Sequence, residues 1–535
     1  AAGYLRTEGS LDTRHSNIVM LMTAASASDT GGGTKLGGTA FSGDYYTWGS
    51  GGIRKYNGTS WSSVYSTLAV RYALATKDYL FFCPENGRIQ KMDTAGTITD
   101  AGQDSNANDF ECLAIFEGYI WGAKHGTNQV HFSSTTDLSD MEGVTTDTDI
   151  TYAGSGSFPI LKFIVYAAHL YAARQDGLWV LSDDKKIWRC VLDYSTEPSV
   201  LNFSGAVSYN GMLFYSMRSQ IYSWNSARYN NQTPQKLTDV FPYVTYGNFS
   251  NFMECDGYMY MTARTNETTY TESLLCFDGA SYHKLCDIIT TGSGLVTGLM
   301  IDPVHSYIFI HVSGVSETTY GLRLQPASEY PYSNFPTTGN HRLITSRMDG
   351  GFRQVKKSTP SLIVQASNVT TARYIKVEYS LDGAGWALWQ NITVPGQTTL
   401  YWPGGLRTVE YNYLQLRFTF ITDNATQSPI FEGYALRLLM RPDEFYGYNF
   451  NIYVARNLVS MDSVDSRDAY TIESDLKAIR ASKSPVELVD LYGQKHYGYI
   501  SSITFVGVEN HASDGGAYPN VEMVANVNFV EAKSA

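Results

Sequence analysis

Hydrophobic positions in the first three fifths of the chain fall in short runs separated by polar turns. The same opening recurs in each run: a small or polar residue, then Tyr or a substitute, then aliphatic and aromatic residues. It reads Asp44-Tyr-Tyr, Asp78-Tyr-Leu-Phe81, Gly118-Tyr-Ile-Trp121, Ala168-His-Leu-Tyr171, Gly211-Met-Leu-Phe214, Gly257-Tyr-Met-Tyr260 and Ser306-Tyr-Ile-Phe309. The second positions are 45, 79, 119, 169, 212, 258 and 307, a mean spacing of about 44 residues, which is the length of a four-stranded propeller blade. Several copies pass through a polar turn into a further strand, as in Ile53–Tyr56, Ile221–Trp224 and Leu274–Phe277. A twisted sheet of this size cannot bury both faces alone, whereas radial stacking covers each sheet with its neighbour and leaves little free edge. The repeat therefore predicts a seven-bladed β-propeller, with a strand around Asn17–Met22 closing the ring against the last blade.

Beyond residue 335 the repeat stops. Residues 336–357 read as a linker or edge segment. Ile375, Val377, Tyr379 and Leu381 then alternate on one strand face, with Asp382-Gly383 as a hairpin turn. Leu414, Leu416, Phe418 and Phe420 repeat that alternation, as do Tyr434, Leu436, Leu438 and Met440. These strands predict an antiparallel β-sandwich. In the last segment Ile472, Leu476 and Ile479 share one helix face over Thr471–Ala481, with Glu473 and Asp475 expected in its first turn, and Ser484-Pro485 ends it. Strands are expected at Asn451–Val454, Val486–Leu491, Gly498–Val508 and Val521–Val530. The fold class that follows is mainly β: a propeller over 1–339, a sandwich over 340–442 and a small α+β module over 443–535.

Composition agrees with sheets. The chain holds 40 Tyr and only 17% charged residues among 535, and tyrosine suits a half-buried pleat. The net charge of −12 argues against a basic nucleic-acid wrapper. No apolar run reaches the 18 residues of a membrane span. The six cysteines make no CxxC pair and read as buried free thiols in a chain long enough to need no staples. Charge is divided along the chain. Residues 340–442 hold 11 basic and 6 acidic residues, net +5, and residues 443–535 hold 7 and 13, net −6. A basic unit beside an acidic one suits assembly from identical copies.

Candidate chemistry is sparse. The ten histidines form no metal-binding spacing, and no nucleophile elbow, P-loop or dinucleotide fingerprint occurs. Propellers host glycosidases, but the two segments nearest the sialidase turn Ser-x-Asp-x-Gly-x-x-Trp, Ser42–Trp48 and Ser380–Trp386, are each one residue short. No catalytic residue, cofactor or metal is expected, and the protein is expected not to be an enzyme. Trp386, Trp389 and Trp402 are the best set for stacking on a sugar ring, and they are the candidate carbohydrate contact.

Four segments carry a resemblance. Gly3-Tyr-Leu-Arg-Thr-Glu-Gly9 is similar to the Leu-Arg-x-x-Gly stretch with which many phage propeller structural proteins begin their first blade. Val130-His-Phe-Ser133, followed by Asp137 and Met141-Glu142, looks like their blade ending. Tyr374–Gly383 through Arg441-Pro442 resembles the sandwich that follows, and Leu476–Gly493 with Tyr499–Phe505 resembles a C-terminal module of tail tubes, tail tips and adaptors, in which P-x-x-L-x-D-x-x-G precedes a strand. In this order the parts resemble a tailed-bacteriophage virion protein of the tail or neck, with the propeller-bearing nozzle proteins of short-tailed phages and the tail-tip proteins as architectural parallels.

The resemblance implies a structural protein in the virion tail (nozzle, tail tip or adaptor), ringed around the tail axis for DNA passage and host attachment. Its partners would be other tail and neck proteins, and it carries over no catalytic residues. The divided charge and the non-repeat character of residues 358–535 add the expectation of a homo-oligomeric ring, six-fold, with contacts from the sandwich and C-terminal module. DNA would pass without sequence-specific binding through an acidic or neutral lumen. The alternative is a secreted or displayed carbohydrate-binding propeller, lectin or glycosidase, with a host-surface glycan as ligand.

Overall fold

The computed structural model describes residues 6–9, 11–15, 18–22, 26–30, 33–101, 109–133, 150–217, 219–225, 234–237, 249–264, 272–279, 282–288, 295–313, 317–324, 335–402, 409–440, 445–455, 458–459, 464–465, 467, 469–482, 486–489, 494–511 and 520–532. Gly3–Leu5, Asp137, Met141-Glu142, Arg441-Pro442, Ser484-Pro485, Asp490 and Gly493, on which parts of the expectations rest, lie outside them.

The repeated opening marks a hairpin. In five copies the chain turns between two strands through a pair of residues with positive φ: Ser42-Gly43, Glu117-Gly118, Ala167-Ala168, Asn210-Gly211 and Asp256-Gly257. Two-residue hairpin turns of this hand match the strand twist and need positive φ at both central positions. The small residue that opens the repeat is therefore the second turn residue. Gly43, not Asp44, is its counterpart in the first copy, so that copy is displaced by one residue from the sequence reading.

The fold is mainly β, with propeller-like repeats. Seven four-stranded antiparallel sheets follow one another over 35–65, 70–100, 110–152, 160–193, 206–236, 249–288 and 295–323, the seventh receiving its outer strand from Ser26–Asp29. The first strand of each sheet touches the first strand of the next, and that of the seventh touches that of the first. Apolar clusters fill the same gaps. Leu80 and Phe82 point to the first sheet and Phe81 and Cys83 to the third. Both faces are covered, so the run Tyr79–Pro84 is continuously apolar instead of alternating. Tyr45, Tyr56, Met300 and Phe309 fill the gap between seventh and first sheets. Tyrosines also tie neighbours together. The Tyr166 hydroxyl donates to the Gly211 carbonyl at 2.9 Å and the Tyr209 hydroxyl to the Gly257 carbonyl at 2.8 Å, each reaching the hairpin turn of the following sheet.

Two five-stranded sheets share a second core. One orders Arg6–Glu8, His341–Ile344, Leu414–Ile421, Tyr374–Leu381 and Ala387–Ile392. The other orders Leu11–His15, Ile18–Leu21, Ile430–Leu436, Leu362–Ser367 and Gly396–Leu400. Leu414, Leu416, Phe418 and Phe420, with Ile375 and Val377, face this core as their alternation predicts. Three expectations need correction. Residues 6–21, placed with the first unit by the boundary at 339, supply three strands here. The strand at Ile18–Leu21 does not close the last repeat sheet, because Met20 and Leu21 are buried in this second core; Ser26–Asp29 pairs with Thr318–Arg323 instead. Residues 336–357 are no mere linker or edge, since His341–Ile344 is hydrogen-bonded to a strand on each side.

The two parts are joined through buried polar contacts. Arg14 makes a two-point ion pair with Asp12, with side chains 1% and 3% exposed, and donates to the Leu324 carbonyl at 2.6 Å, just past the last strand of the seventh sheet. Thr7 Oγ1 donates to the Lys284 carbonyl at 3.2 Å and accepts from the Lys284 amide at 2.9 Å.

In the C-terminal segment a sheet of order Phe445–Val454, Asn520–Ala532, Lys495–His511 and Val486–Val489 packs one face on the helix Ala469–Ser482. The helix starts two residues earlier than expected. Glu473 and Asp475 consequently miss the first turn and pair with Lys477 and Arg467. Ile472 is buried and Leu476 partly so, whereas Ile479 is exposed. Four cysteines are buried as expected, but Cys190 is exposed and Cys255 intermediate. Among the described residues no helix is long and apolar enough to cross a membrane.

Candidate functional site

The tryptophan set does not form a platform. Trp389 and Trp402 lie stacked, ring centroids 4.4 Å apart and planes 14° from parallel, at 6% and 4% exposure inside the core of the paired five-stranded sheets. Each indole N–H is used internally, Trp389 on the Tyr401 carbonyl at 2.8 Å and Trp402 on that of Thr359. A sugar stacks on a ring face open to water, which neither offers. Trp386 is half-buried and separate, its ring 4.5 Å from the Arg417 guanidinium.

Beneath Trp386 sits a compact charge cluster. Arg417 donates two hydrogen bonds of 2.8 Å to Glu378, and Lys376 pairs with the same carboxylate at 2.9 Å. Burial alone would raise the Glu378 carboxyl; the donors from Arg417 and Lys376 outweigh it and hold it down at about 2. This cluster fastens two strands and presents no reactive group.

A second set lies where the first strands of the repeat sheets begin. The ladder slips by a residue at Lys35/Gly37, Phe110/Cys112, Ile160/Lys162, Ser250/Met253 and Val296/Gly298. Bulges of this kind re-aim side chains at the rims of closed sheets. The polar groups nearby are matched in opposites. Arg71 reaches Asp109 at 3.1 Å and Glu85 at 3.4 Å, and His125 meets Glu111 at 2.5 Å. Lys162 donates to the Ser204 carbonyl at 3.1 Å, and burial pushes its ammonium down to about 8. Its hydrogen bond runs to a backbone carbonyl and not to a carboxylate.

A third set fastens the seventh sheet to the first. Asp29 lies between Lys35 Nζ at 2.9 Å and Arg54 Nε at 3.0 Å. Lys35 also donates to Thr319 Oγ1 at 2.8 Å, which lies 3.0 Å from His311 Nδ1, and His311 Nε2 meets Glu317 at 2.8 Å. Burial lowers the Lys35 ammonium, and burial likewise lowers His311. Sequence reading missed this cluster. Lys35 sits in a stretch rich in glycine; Asp29 is six positions away, but Thr319, its other partner, lies 284 positions on. The only local signal was a charged residue at the start of an apolar strand.

No family model matches the chain, and no curated protein matches it. Among solved structures, the chain is similar to the extracellular domain of a putative hybrid two component system from B. thetaiotaomicron, at 10% identity and a TM-score of 0.44 over 77% of this chain and 60% of that one. It therefore spans about three fifths of that domain's length. It is similar to a chain of the mitotic checkpoint complex at 12% identity and a TM-score of 0.41, covering 59% of this chain and 93% of that one. It is also similar to YCF48 bound to D1 peptide, at 10% identity and a TM-score of 0.39, covering 58% and 98%.

Proposed function

We propose that this chain is a structural protein of a tailed-bacteriophage virion, a nozzle, tail-tip or adaptor subunit arranged in a homo-oligomeric ring around the tail axis. In this reading the seven repeat sheets are the blades of one closed propeller, the paired five-stranded sheets are the β-sandwich, and the C-terminal sheet with its helix is the assembly module. The observation that carries the reading is the order of parts: propeller-like repeats, then paired sheets with a shared core, then a one-helix sheet, the order on which the resemblance to tail proteins rests. The use of the described polar groups supports it. The clusters at Glu378, Asp29 and Arg71 fasten strands to strands, which is compatible with a structural role. The glycan-binding alternative is weakened by the burial of Trp389 and Trp402.

DNA passes such a ring without sequence readout, other tail and neck proteins are its neighbours, and the chain has no hydrolase activity. Removal of residues 443–535 tests the reading. The shortened chain is expected to fold, with an unfolding transition for the repeat sheets, and to be missing from particles purified after complementation. Incorporation at the level of the intact chain would contradict it, as would turnover of host polysaccharide by the pure protein.

A further inference from the structure

We infer that the patch formed by the exposed Arg347, Arg353 and Tyr434 with the half-buried Met348 and Tyr413 is the surface on which a second copy of this chain docks its acidic C-terminal module. The inference rests on the ring reading above and names one side of its contact.

The patch is contiguous. The guanidinium carbons of Arg347 and Arg353 lie 5.0 and 5.5 Å from the centroid of the same Tyr413 ring. Met348 pairs with Leu414, the neighbour of Tyr413, through backbone hydrogen bonds of 2.8 and 3.1 Å, and its sulfur lies 3.7 Å from the Tyr434 hydroxyl. Arginine, tyrosine and methionine are the residue types that interface centres enrich, and stacking on an aromatic ring pre-orders a guanidinium for a carboxylate.

Five of the other described cations of this unit are committed, while the exposed Arg437 makes no ion pair among the described residues. Lys376 and Arg417 hold Glu378, Arg342 faces Glu8 at 3.6 Å, and Arg373 is bonded to Asn368 and Gln427. Lys357 is spent on the carbonyls of Phe352, Val355 and Asn412. The bonds to Phe352 and Val355 also pin the loop carrying Arg353, so docking orders little extra chain. The nearby carboxylates are also occupied, Asp349 by the Gly351 amide at 2.9 Å and Asp382 by the amides of Asn412 and Tyr413 at 2.8 and 2.9 Å. Arg347 and Arg353 are both exposed, and neither makes an ion pair among the described residues.

The occupant follows from charge. Residues 340–442 carry net +5 and residues 443–535 net −6, so one copy's acidic module complements another copy's patch. The test is the double reversal R347E/R353E in the full-length chain, read by the mass of the assembly in solution. Wild type should assemble, and the variant should need at least tenfold more protein to do so while its unfolding midpoint stays put. R347K/R353K should fall between them, since lysine gives up the planar fork. A variant that assembles at the wild-type concentration overturns this docking surface and leaves the ring intact. A wild type that stays monomeric overturns the ring and the surface together. Loss of binding to a short DNA duplex, with assembly unchanged, would mean the patch meets phosphates, and the inference would fall.

Discussion

The repeat sheets and the paired five-stranded sheets solve the same problem in opposite ways. Six of the seven repeat sheets are completed by strands adjacent in sequence, and only the seventh borrows a distant one, Ser26–Asp29. The paired sheets draw partners from both ends of the chain: Arg6–Glu8 lies beside His341–Ile344, and Val19 beside Phe431. Six repeat sheets are closed by local pairing, while each paired sheet takes its edge from the N-terminal segment. The Asp12–Arg14 pair sits where these two modes meet, on a strand of one part and against the carbonyl of Leu324 in the other.

The largest expected effect breaks that meeting point. Arg14→Ala leaves Asp12 buried without its partner, which costs about 3–5 kcal/mol. Chemical denaturation should show both parts losing stability in this variant. A loss confined to the paired sheets would mean the two parts are not coupled through Arg14.

Next comes the tryptophan pair. Trp389→Ala removes a buried ring from the shared core and should cost about 3–5 kcal/mol, with the repeat sheets unfolding as before. Were Trp389 a sugar-stacking residue instead, stability would be nearly unchanged and glycan retention would fall.

A pH effect separates the parts further. The Glu378 carboxyl is held at about 2 in the fold, below the value near 4.3 of an unfolded chain. Its pairing therefore stabilises fully above about pH 4.3 and is lost as pH falls toward 2. Glu378→Gln should flatten the acid limb of the paired sheets' stability profile between those values and leave that of the repeat sheets alone. An acid limb of unchanged slope would remove Glu378 as its cause.

The smallest effect lies within the repeats. Ala167-Ala168 holds two alanines at φ 49° and 60° where the sister turn has Asn210-Gly211, and a left-handed L-residue costs roughly 1–2 kcal/mol. Ala168→Gly should stabilise the protein by about 1 kcal/mol, and Gly211→Ala should destabilise it by a similar amount. Nothing lies within 4 Å of a Cβ placed at Gly211, so backbone strain is the whole effect there. A destabilising Ala168→Gly would show that this turn is held by contacts and not limited by its φ.

What the sequence disclosed follows this division. Local patterns were legible: the hairpin repeat, the alternation of Leu414–Phe420 and the helix around Ile472 all depend on neighbours within a few positions. Partnerships over hundreds of residues were not. Ile18–Leu21 is as apolar as a blade strand, and only its pairing with residue 431 decides which core it enters. His341–Ile344 is too short to display a period, so an inner strand passed for a linker. Trp389 and Trp402 were visible as a cluster, but whether a tryptophan faces water or core is set by the sheet opposite, which local spacing does not encode. The Asp29–Lys35–His311 cluster escaped for the same reason.

Imaging of intact virions tests the central claim most directly. The account predicts this chain in a closed ring of identical subunits around the tail axis, with the basic sheets of each copy against the acidic module of the next. Single copies at fibre tips, or particles from which the chain is missing, would contradict it.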